Sequence, residues 1–276
     1  MTDNDPDEIT SSKVSELFME LASETRYCLL LRLKDKPSKL STLAKLHGTT
    51  VQDVFRNLNR LTTEGLVKRG ADGLFYISEY GLMVLNQVPY FIFLKKHKKF
   101  FEGHSLEKSN IPVKFLRRIG ELYRCERVDS VTAVLQRLKK LESSANQFIK
   151  AVVSQAWPEE GIIFIDRAKH GIEVTTIAGH NMILPKNVVN DIVPSIRDLV
   201  SEGIFKTRML DDVRVAIYIA DIKEAGIMFP DTDGEVDMTT LFVSKDPEFC
   251  EWSTDLFEYF YQKSKPLDIG KMRVVE

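Results

Sequence analysis

The spacing of apolar residues changes character once along this chain, and that change constrains the fold more than any other feature. Up to Trp157, leucine, valine, isoleucine and phenylalanine recur mainly at i, i+3, i+4 and i+7, the stripe of an amphipathic helix. From Gly161 they come in short runs, rich in β-branched and aromatic residues and bounded by Gly, Pro, Asn or Asp, which is the signature of strands. A helical front and a mixed back predict an α+β chain, and 276 residues allow two or three domains.

The front can be read in detail. Val14, Leu17, Phe18 and Leu21 predict one short helix, and Leu29, Leu30 and Leu33 a second that stops at Asp35-Lys36-Pro37. Leu40, Leu43, Ala44 and Leu46 mark a third, stopped by His47-Gly48. Thr50 then caps a fourth, with Asp53 in the position of an acidic capping box and Val54, Leu58 and Leu61 on its inner face. Residues 66–69 and 74–78 alternate around an Asp72-Gly73 turn, a strong hairpin signal. Helices followed by a hairpin with a basic strand predict a winged helix-turn-helix, in which a tight turn lets two helices cross. The segments Leu40-x-x-Leu43-Ala44-x-x-x-Gly48-x-Thr50, Val54-x-x-x-Leu58-x-x-Leu61-x-x-x-Gly65-Leu66-Val67-x-Arg69 and Asp72-Gly73-x-x-Tyr76 resemble the arsenic-repressor type of winged-helix transcriptional regulators. Metal sensors of that type often carry a cysteine motif on the helix of Leu43 and Ala44; here there is none, so no metal is expected.

After Tyr80-Gly81 the helical period continues through a connecting helix kinked near Pro89, the run Lys95-Lys96-His97-Lys98-Lys99, and two helices expected between Pro112 and Trp157. Beyond Gly161, strands are expected over residues 162–166, 172–177, 204–209, 213–220, 225–229 and 239–244, with helices over 188–201 and 249–261. Ile111-Pro112, Glu126-Arg127-Val128, Asp237, Leu241-Phe242-Val243-Ser244, Asp246, Trp252, Leu256-Phe257 and Tyr259 resemble an archaeal regulator family in which a winged helix precedes the middle domain of the methanogenesis regulatory protein. The resemblance implies a one-component regulator whose C-terminal domain is related in shape to phospholipase-D-like sensor domains and perceives a small signal.

The expected organisation is therefore an acidic disordered tail (1–12), a winged helix-turn-helix (13–80), a helical connector that is a possible dimerisation region (81–158), a mixed α/β sensor-like regulatory domain (159–265) and a tail (266–276). Charge follows the same division. Residues 1–12, 13–150 and 151–276 carry net charges of −4, +11 and −9, which cancel to the overall −2. A basic front points to a polyanion and an acidic back to another task. No run approaches the roughly 18 apolar residues of a membrane span, and the acidic start is the reverse of a signal peptide; a cytoplasmic location is expected. Cys28, Cys125 and Cys250 lie far apart and are expected to pack as small apolar side chains.

With Val54, Leu58 and Leu61 inward, Gln52, Asp53, Arg56, Asn57, Asn59 and Arg60 lie on or near the opposite helix face. Arginine can fork onto guanine, and glutamine or asparagine can pair with adenine, in the major groove of double-stranded DNA. Gln52, Arg56 and Asn57 are the expected base readers. Thr50 and Arg60, with Lys68, Arg69 and Tyr76 of the wing, are expected on phosphates, which position without reading sequence. For a small effector, Asn181, Arg208, Arg214, Tyr218 and Trp252 are the candidate contacts. No cofactor and no catalytic residues are expected, and the chain is not read as an enzyme. The one His-x-Lys, His97-Lys98-Lys99, has His104 where the phospholipase-D motif requires Asp. The leading reading is a dimeric DNA-binding transcriptional regulator; the alternative is an adaptor that uses its winged helix for protein contacts with transcription machinery.

Overall fold

The computed structural model describes residues 6–268 and 273–275, apart from the side chains of residues 6–10, 181, 183 and 273–275. The chain divides into two compact units, Met1–Val88 and Pro89–Glu276.

The first unit runs α1 (Pro6–Leu21), α2 (Glu24–Asp35), α3 (Leu40–His47), α4 (Val51–Thr63), β1 (Val67–Arg69), β2 (Phe75–Ile77) and α5 (Glu79–Leu85). This is the expected winged helix-turn-helix. Gly48 closes α3 with φ of 67°, a left-handed conformation that glycine adopts without the Cβ penalty, so α4 can start three residues later. Leu29, Leu30, Leu33, Leu43, Val54, Leu58, Leu61, Leu66 and Phe75 form its core, each large apolar side chain contributing about 1.5–3 kcal/mol by leaving water. β1 and β2 pair antiparallel, and Ser38 adds a further bridge to Phe75. α5 is pressed against the start of the hairpin so closely that a Cβ on Gly81 would lie 2.1 Å from the Leu66 carbonyl oxygen.

One ion-pair cluster ties α1 to this core. Glu20, with a side chain 10% exposed, meets Arg26 of α2 at 2.7 Å and Arg60 of α4 at 2.5 Å. Arg26 also donates to the carbonyl of Met19 at 2.8 Å. Residues 6–12, expected within a disordered tail over residues 1–12, are instead helical. Residues 1–5 lie outside the described residues and α1 already starts at Pro6, because its last turns carry Leu17, Glu20 and Leu21 onto α2 and α4.

The second unit is a nine-stranded mixed sheet between two helical layers. In chain order it contains α6 (Val88–Lys96), α7 (Val113–Leu116), β3 (Glu126–Asp129), α8 (Val131–Ser143), β4 (Phe148–Gln155), α9 (Pro158–Lys169), β5 (Glu173–Pro185), a π turn (Val188–Ile192), α10 (Val193–Ser201), β6 (Phe205–Leu210), β7 (Ala216–Ala220), β8 (Glu224–Met228), β9 (Thr240–Ser244), α11 (Pro247–Lys263), β10 (Lys265–Pro266) and β11 (Arg273–Val275). The strand order is β10-β6-β5-β4-β7-β8-β9-β3, with β11 added parallel to the end of β5. β4, β5 and β6 are parallel and joined by helical crossovers; β7, β8 and β9 form an antiparallel meander. Side chains alternate between two cores with the period of a strand. On β7, Ala216, Tyr218 and Ala220 face α8 and α9, whereas Ile217 and Ile219 face the layer of α6, α7 and α11.

Three expectations about this part are corrected. The connector expected over residues 81–158 is not a separate helical piece: α5 closes the first unit, while β3, α8 and β4 belong to the sheet domain. β4 escaped notice because a strand covered on both faces reads as a continuous apolar run, and Ile149 and Val152 prolong the helical spacing of Leu138, Leu141 and Ala145. Residues 162–166, expected as a strand, lie in α9, which has Pro158 and two acids in its first turn and buries Phe164 and Ala168 on one side. In the expected tail, Pro266 and residues 273–275 pair as β10 and β11; residues 269–272 and 276 lie outside the described residues.

Asp221 and Ile222 turn the chain between β7 and β8 with φ of 57° and 55°. The Asp221 carboxylate accepts the N–H groups of Asn146, Gln147 and Phe148 at 2.8, 2.8 and 3.0 Å, fixing the entry into β4. Burial opposes its charge, but these donors outweigh that effect and hold its pKa below 3.8. A carboxylate lowered on folding stabilises above its unfolded pKa and loses that contribution as pH falls through the folded one. Asp221→Ala should therefore cost the second unit on the order of 3 kcal/mol at pH 7, with a difference from the parent that shrinks at acid pH, measured by urea unfolding as a function of pH. Glu20→Ala should cost the first unit about 3 kcal/mol by leaving Arg26 without its counter-charge. Amide exchange should then quicken in α2 and α4 and stay unchanged in β7 and β8.

Candidate nucleic-acid interface and ligand cavity

α4 presents two kinds of side chain outside its buried stripe. Thr50, its N-cap, accepts from Asp53 N at 3.1 Å and donates to Asp53 Oδ2 at 2.6 Å. That hydroxyl is the main cause of the lowered Asp53 pKa. Arg56 rests on Asp53 at 2.6 Å with its side chain 73% exposed, and Gln52 is exposed beside it. Asn57 is turned toward the protein: its amide donates to the Asp53 carbonyl at 2.9 Å and its oxygen accepts from Arg26 at 3.4 Å. Arg60 is held by Glu20. Of the expected helix contacts, Thr50, Gln52 and Arg56 thus lie exposed, Arg60 is exposed in the same groove but tethered to Glu20, and Asn57 serves the packing of the winged helix.

Two exposed residues were not foreseen. Val51 and Phe55 lie half in water, one turn apart, and Phe55 joins Gln52, Arg56, Asn59 and Thr63 in a shallow groove on α4. The signal was available in the sequence, since both fall outside the positions of Val54, Leu58 and Leu61; exposed apolar residues on a helix otherwise built for water mark a surface meant to be covered.

On the wing, Lys68 and Arg69 are exposed on β1, and the Arg69 guanidinium stands 5.7 Å from the centre of the Phe75 ring. Tyr76 donates its hydroxyl to Asp72 at 2.5 Å. This bond lowers the Asp72 pKa and raises that of Tyr76, and it draws the tyrosine hydroxyl toward the acidic tip.

The expected effector contacts do not converge. Trp252 is completely buried in α11 and donates its indole N–H to the Phe115 carbonyl at 3.0 Å, so it is a core residue. Arg208 fastens the end of α11: it donates to Ser264 Oγ at 2.6 Å and to the Ser264 carbonyl, and lies 5.0 Å from the Tyr261 ring centre. Arg214 pairs with Asp212 at 2.5 Å in the loop before β7. Tyr218 is buried on β7. The side chain of Asn181 lies outside the described residues.

The second unit instead contains a cavity of about 380 Å³ between β4, β5 and β6 on one side and α9, the π turn and α10 on the other. Its walls are mostly apolar, with Phe164, Phe205, Leu184 and Ile192 among them, and Glu160, Thr176, Thr207 and Arg197 supply the charged and hydroxyl groups. This is the size and character of a small-molecule site. Reading α9 as a strand concealed it, because a strand over residues 162–166 supplies no helical wall to stand opposite β4, β5 and β6.

The basic groups of the second unit are largely engaged within it. Lys96 donates to the Cys125 carbonyl at 2.7 Å; Arg118 pairs with Glu121 and Asp255, Arg124 with Asp246 and Arg127 with Asp129. Lys95, Lys98 and Lys99 are exposed. His97 is buried, with Nε2 3.6 Å from Cys125 Sγ, and burial drives its pKa down to about 4. His104 stacks on Phe100 and sets Nε2 2.9 Å from Asp237 Oδ2. Both histidines of the His-x-Lys segment are thus packing residues. Cys125 and Cys250 are buried as expected, with burial pushing each thiol up to about 11, while Cys28 is half-buried. Among the described residues no three His, Cys, Asp or Glu side chains gather as a metal site, and no helix is long and apolar enough to cross a membrane.

Residues 129–263 match the family described as the methanogenesis regulatory protein FilR1, middle domain. Along 91% of its length the chain is 21% identical to the methanogenesis regulatory protein FilR1 of Methanothrix harundinacea, strain 6Ac, and it spans 58% of that relative. Among solved structures, TrmBL2, described as an archaeal chromatin protein with a novel mode of DNA binding, is 15% identical with a TM-score of 0.42, covering 86% of this chain and 92% of its own. NucT from Helicobacter pylori is 16% identical with a TM-score of 0.38, covering 51% of this chain and all of its own. The sheet domain of this chain is thus similar in sequence to the middle domain of an archaeal regulatory protein.

Proposed function

We propose that this chain is a DNA-binding transcriptional regulator of the arsenic-repressor-like type that reads duplex DNA through α4, acts as a homodimer in the cytoplasm, and answers to a small effector held in its second unit. The observation that carries the reading is the exposed face of α4, where Gln52, Arg56 and Asn59 stand beside Phe55 over a fully buried Val54, Leu58 and Leu61. A helix entering a major groove needs this arrangement: a rigid inner stripe, forked or paired donors for base edges, and an apolar contact for a thymine methyl group. Lys68 and Arg69 of the wing contribute phosphate contacts. Asn57 and Arg60 act indirectly, by fixing the angle at which α4 leaves α2. The similarity of the sheet domain to a regulatory protein's middle domain supports placing the sensing function there. Two copies of the chain would present two α4 helices to half-sites one helical turn apart. No catalytic step is assigned.

Val51 and Phe55 also favour a second reading, in which α4 docks on a protein of the transcription machinery. The two separate on charge. If α4 reads DNA, Arg56→Ala should weaken binding to the preferred duplex about 5- to 150-fold, measured by fluorescence anisotropy on fragments selected from a random pool. Lys68→Ala should weaken all duplexes alike and flatten the slope of log affinity against log salt by about one. Absence of binding to any selected duplex, or binding indifferent to salt and to Arg56→Ala, would refute the DNA reading; retained partner capture that is lost on Phe55→Ala would then favour the adaptor.

A further inference from the structure

The cavity of the second unit has a distinctive polar end. Glu160, in the first turn of α9, lines it and lies near enough to Glu142 of α8 and Tyr218 of β7 for each to shift its pKa. Glu142 is 1% exposed, and its Oε1 has no hydrogen-bond partner among the described residues. Neither acid has a salt-bridge partner there. Arg137 of α8 pairs with Glu224, its Nη1 buried without a hydrogen-bond partner among the described residues, and Arg197 lines the cavity from α10 with its side chain toward solvent. Two carboxyl groups this near cannot both ionise out of water, so the pair retains a proton. Burial raises both pKa values, that of Glu160 to about 7. Elsewhere in the chain a buried acid is matched with guanidinium or backbone N–H groups; here the space beside it is an apolar cavity with three aromatic walls, Trp157, Phe164 and Phe205.

We propose that this cavity binds a hydrophobic amine, its cationic head on Glu160 beside Glu142 and Tyr218 and its apolar body between Phe164, Phe205 and Leu184. The proposal rests on the sensing role assigned above to the second unit and names the chemistry of its ligand. A cationic head takes the place of the proton that the acid pair otherwise keeps, forming a charge-assisted hydrogen bond in a low-dielectric site. The aromatic walls add the attraction of a cation for a ring face. A carboxylate head is disfavoured at this end of the cavity by the same acids, and a neutral ligand of equal shape gains only from the walls. The indole N–H of Trp157 is buried without a partner and is free to receive an acceptor on the ligand body.

The test uses the full chain and three probes of one shape, phenylbutylamine, phenylbutanol and phenylbutyrate, titrated by calorimetry. The amine should bind about tenfold or more tightly than the alcohol, and the acid more weakly than either. Glu160→Gln, which keeps the shape of the side chain, should erase the advantage of the amine and leave the alcohol unchanged; Ala178→Leu, which fills the cavity from β5, should weaken amine and alcohol together. Equal binding of amine and alcohol, preference for the acid, an amine advantage that survives Glu160→Gln, or no binding of any probe would each overturn the proposal. Duplex affinity measured with and without the amine in the same preparations keeps the outcomes apart: a chain that binds DNA but shows no amine preference refutes this inference alone. A chain that prefers the amine while its duplex affinity ignores it refutes the sensing role and leaves the site standing.

Discussion

A carboxylate taken out of water must find compensation, and the places where this chain meets that requirement organise both of its units. Glu20 meets it with two guanidinium groups, and in doing so joins α1, α2 and α4 into one body. Asp221 meets it with three consecutive backbone N–H groups, which aligns the turn after β7 with the start of β4 at the middle of the sheet. Glu224 meets it with Arg137, joining α8 to β8. Each arrangement is costly to break, because removing one partner strands the other. Glu142 and Glu160 are the exception: each lies near another acid, with no salt-bridge partner among the described residues, and Glu160 borders a cavity.

The winged helix was legible almost to the residue because its signals are local. Thr50 and Asp53 declare the start of α4, Gly48 its preceding turn, Asp72-Gly73 the hairpin, and the burial of Val54, Leu58 and Leu61 follows from spacing alone. What spacing could not convey was which exposed residues would be recruited by distant ones. Asn57 and Arg60 occupy groove-facing positions by periodicity, yet Arg26 turns Asn57 toward the protein and Glu20 tethers the exposed Arg60, each more than 30 residues away in sequence. The sheet domain was legible in its antiparallel half, where β7, β8 and β9 are short and bounded by turns. It failed at β4 and α9, where a strand buried on both faces and a helix with Ile-Ile-Phe-Ile at its middle each imitate the other's pattern. Of the expected effector residues, Trp252 lies in a continuous core, which satisfies a large group with a polar handle as well as a pocket would, whereas Tyr218 is buried near Glu160 at the polar end of the cavity.

The charge pattern also takes on a different meaning. The excess of base over residues 13–150 spans both units, and much of its second-unit share is consumed internally, by Arg118, Arg124 and Arg127 in ion pairs and by Lys114 over the ring of Tyr259. A one-dimensional tally cannot distinguish a base that faces solvent from one that closes a contact with an acid more than 100 residues later, as Arg124 does with Asp246. The residues that leave an electrostatic footprint at the wing are fewer, Lys68 and Arg69, and they lie on one short strand.

The π turn at Val188–Ile192 bears on how the cavity could fill. It inserts one residue more than an α-helical turn would hold, and Pro194, just beyond it, brings no N–H to the ladder. The wall opposite the sheet is therefore stitched less regularly than α9 beside it, although Val188 and Ile192 are buried in the same core. Local opening starts where backbone bonding is least regular. The cavity thus has two unlike walls: one of β4, β5 and β6, held by parallel ladders, and one in which Val188 and Ile192 sit on the least regular backbone around it.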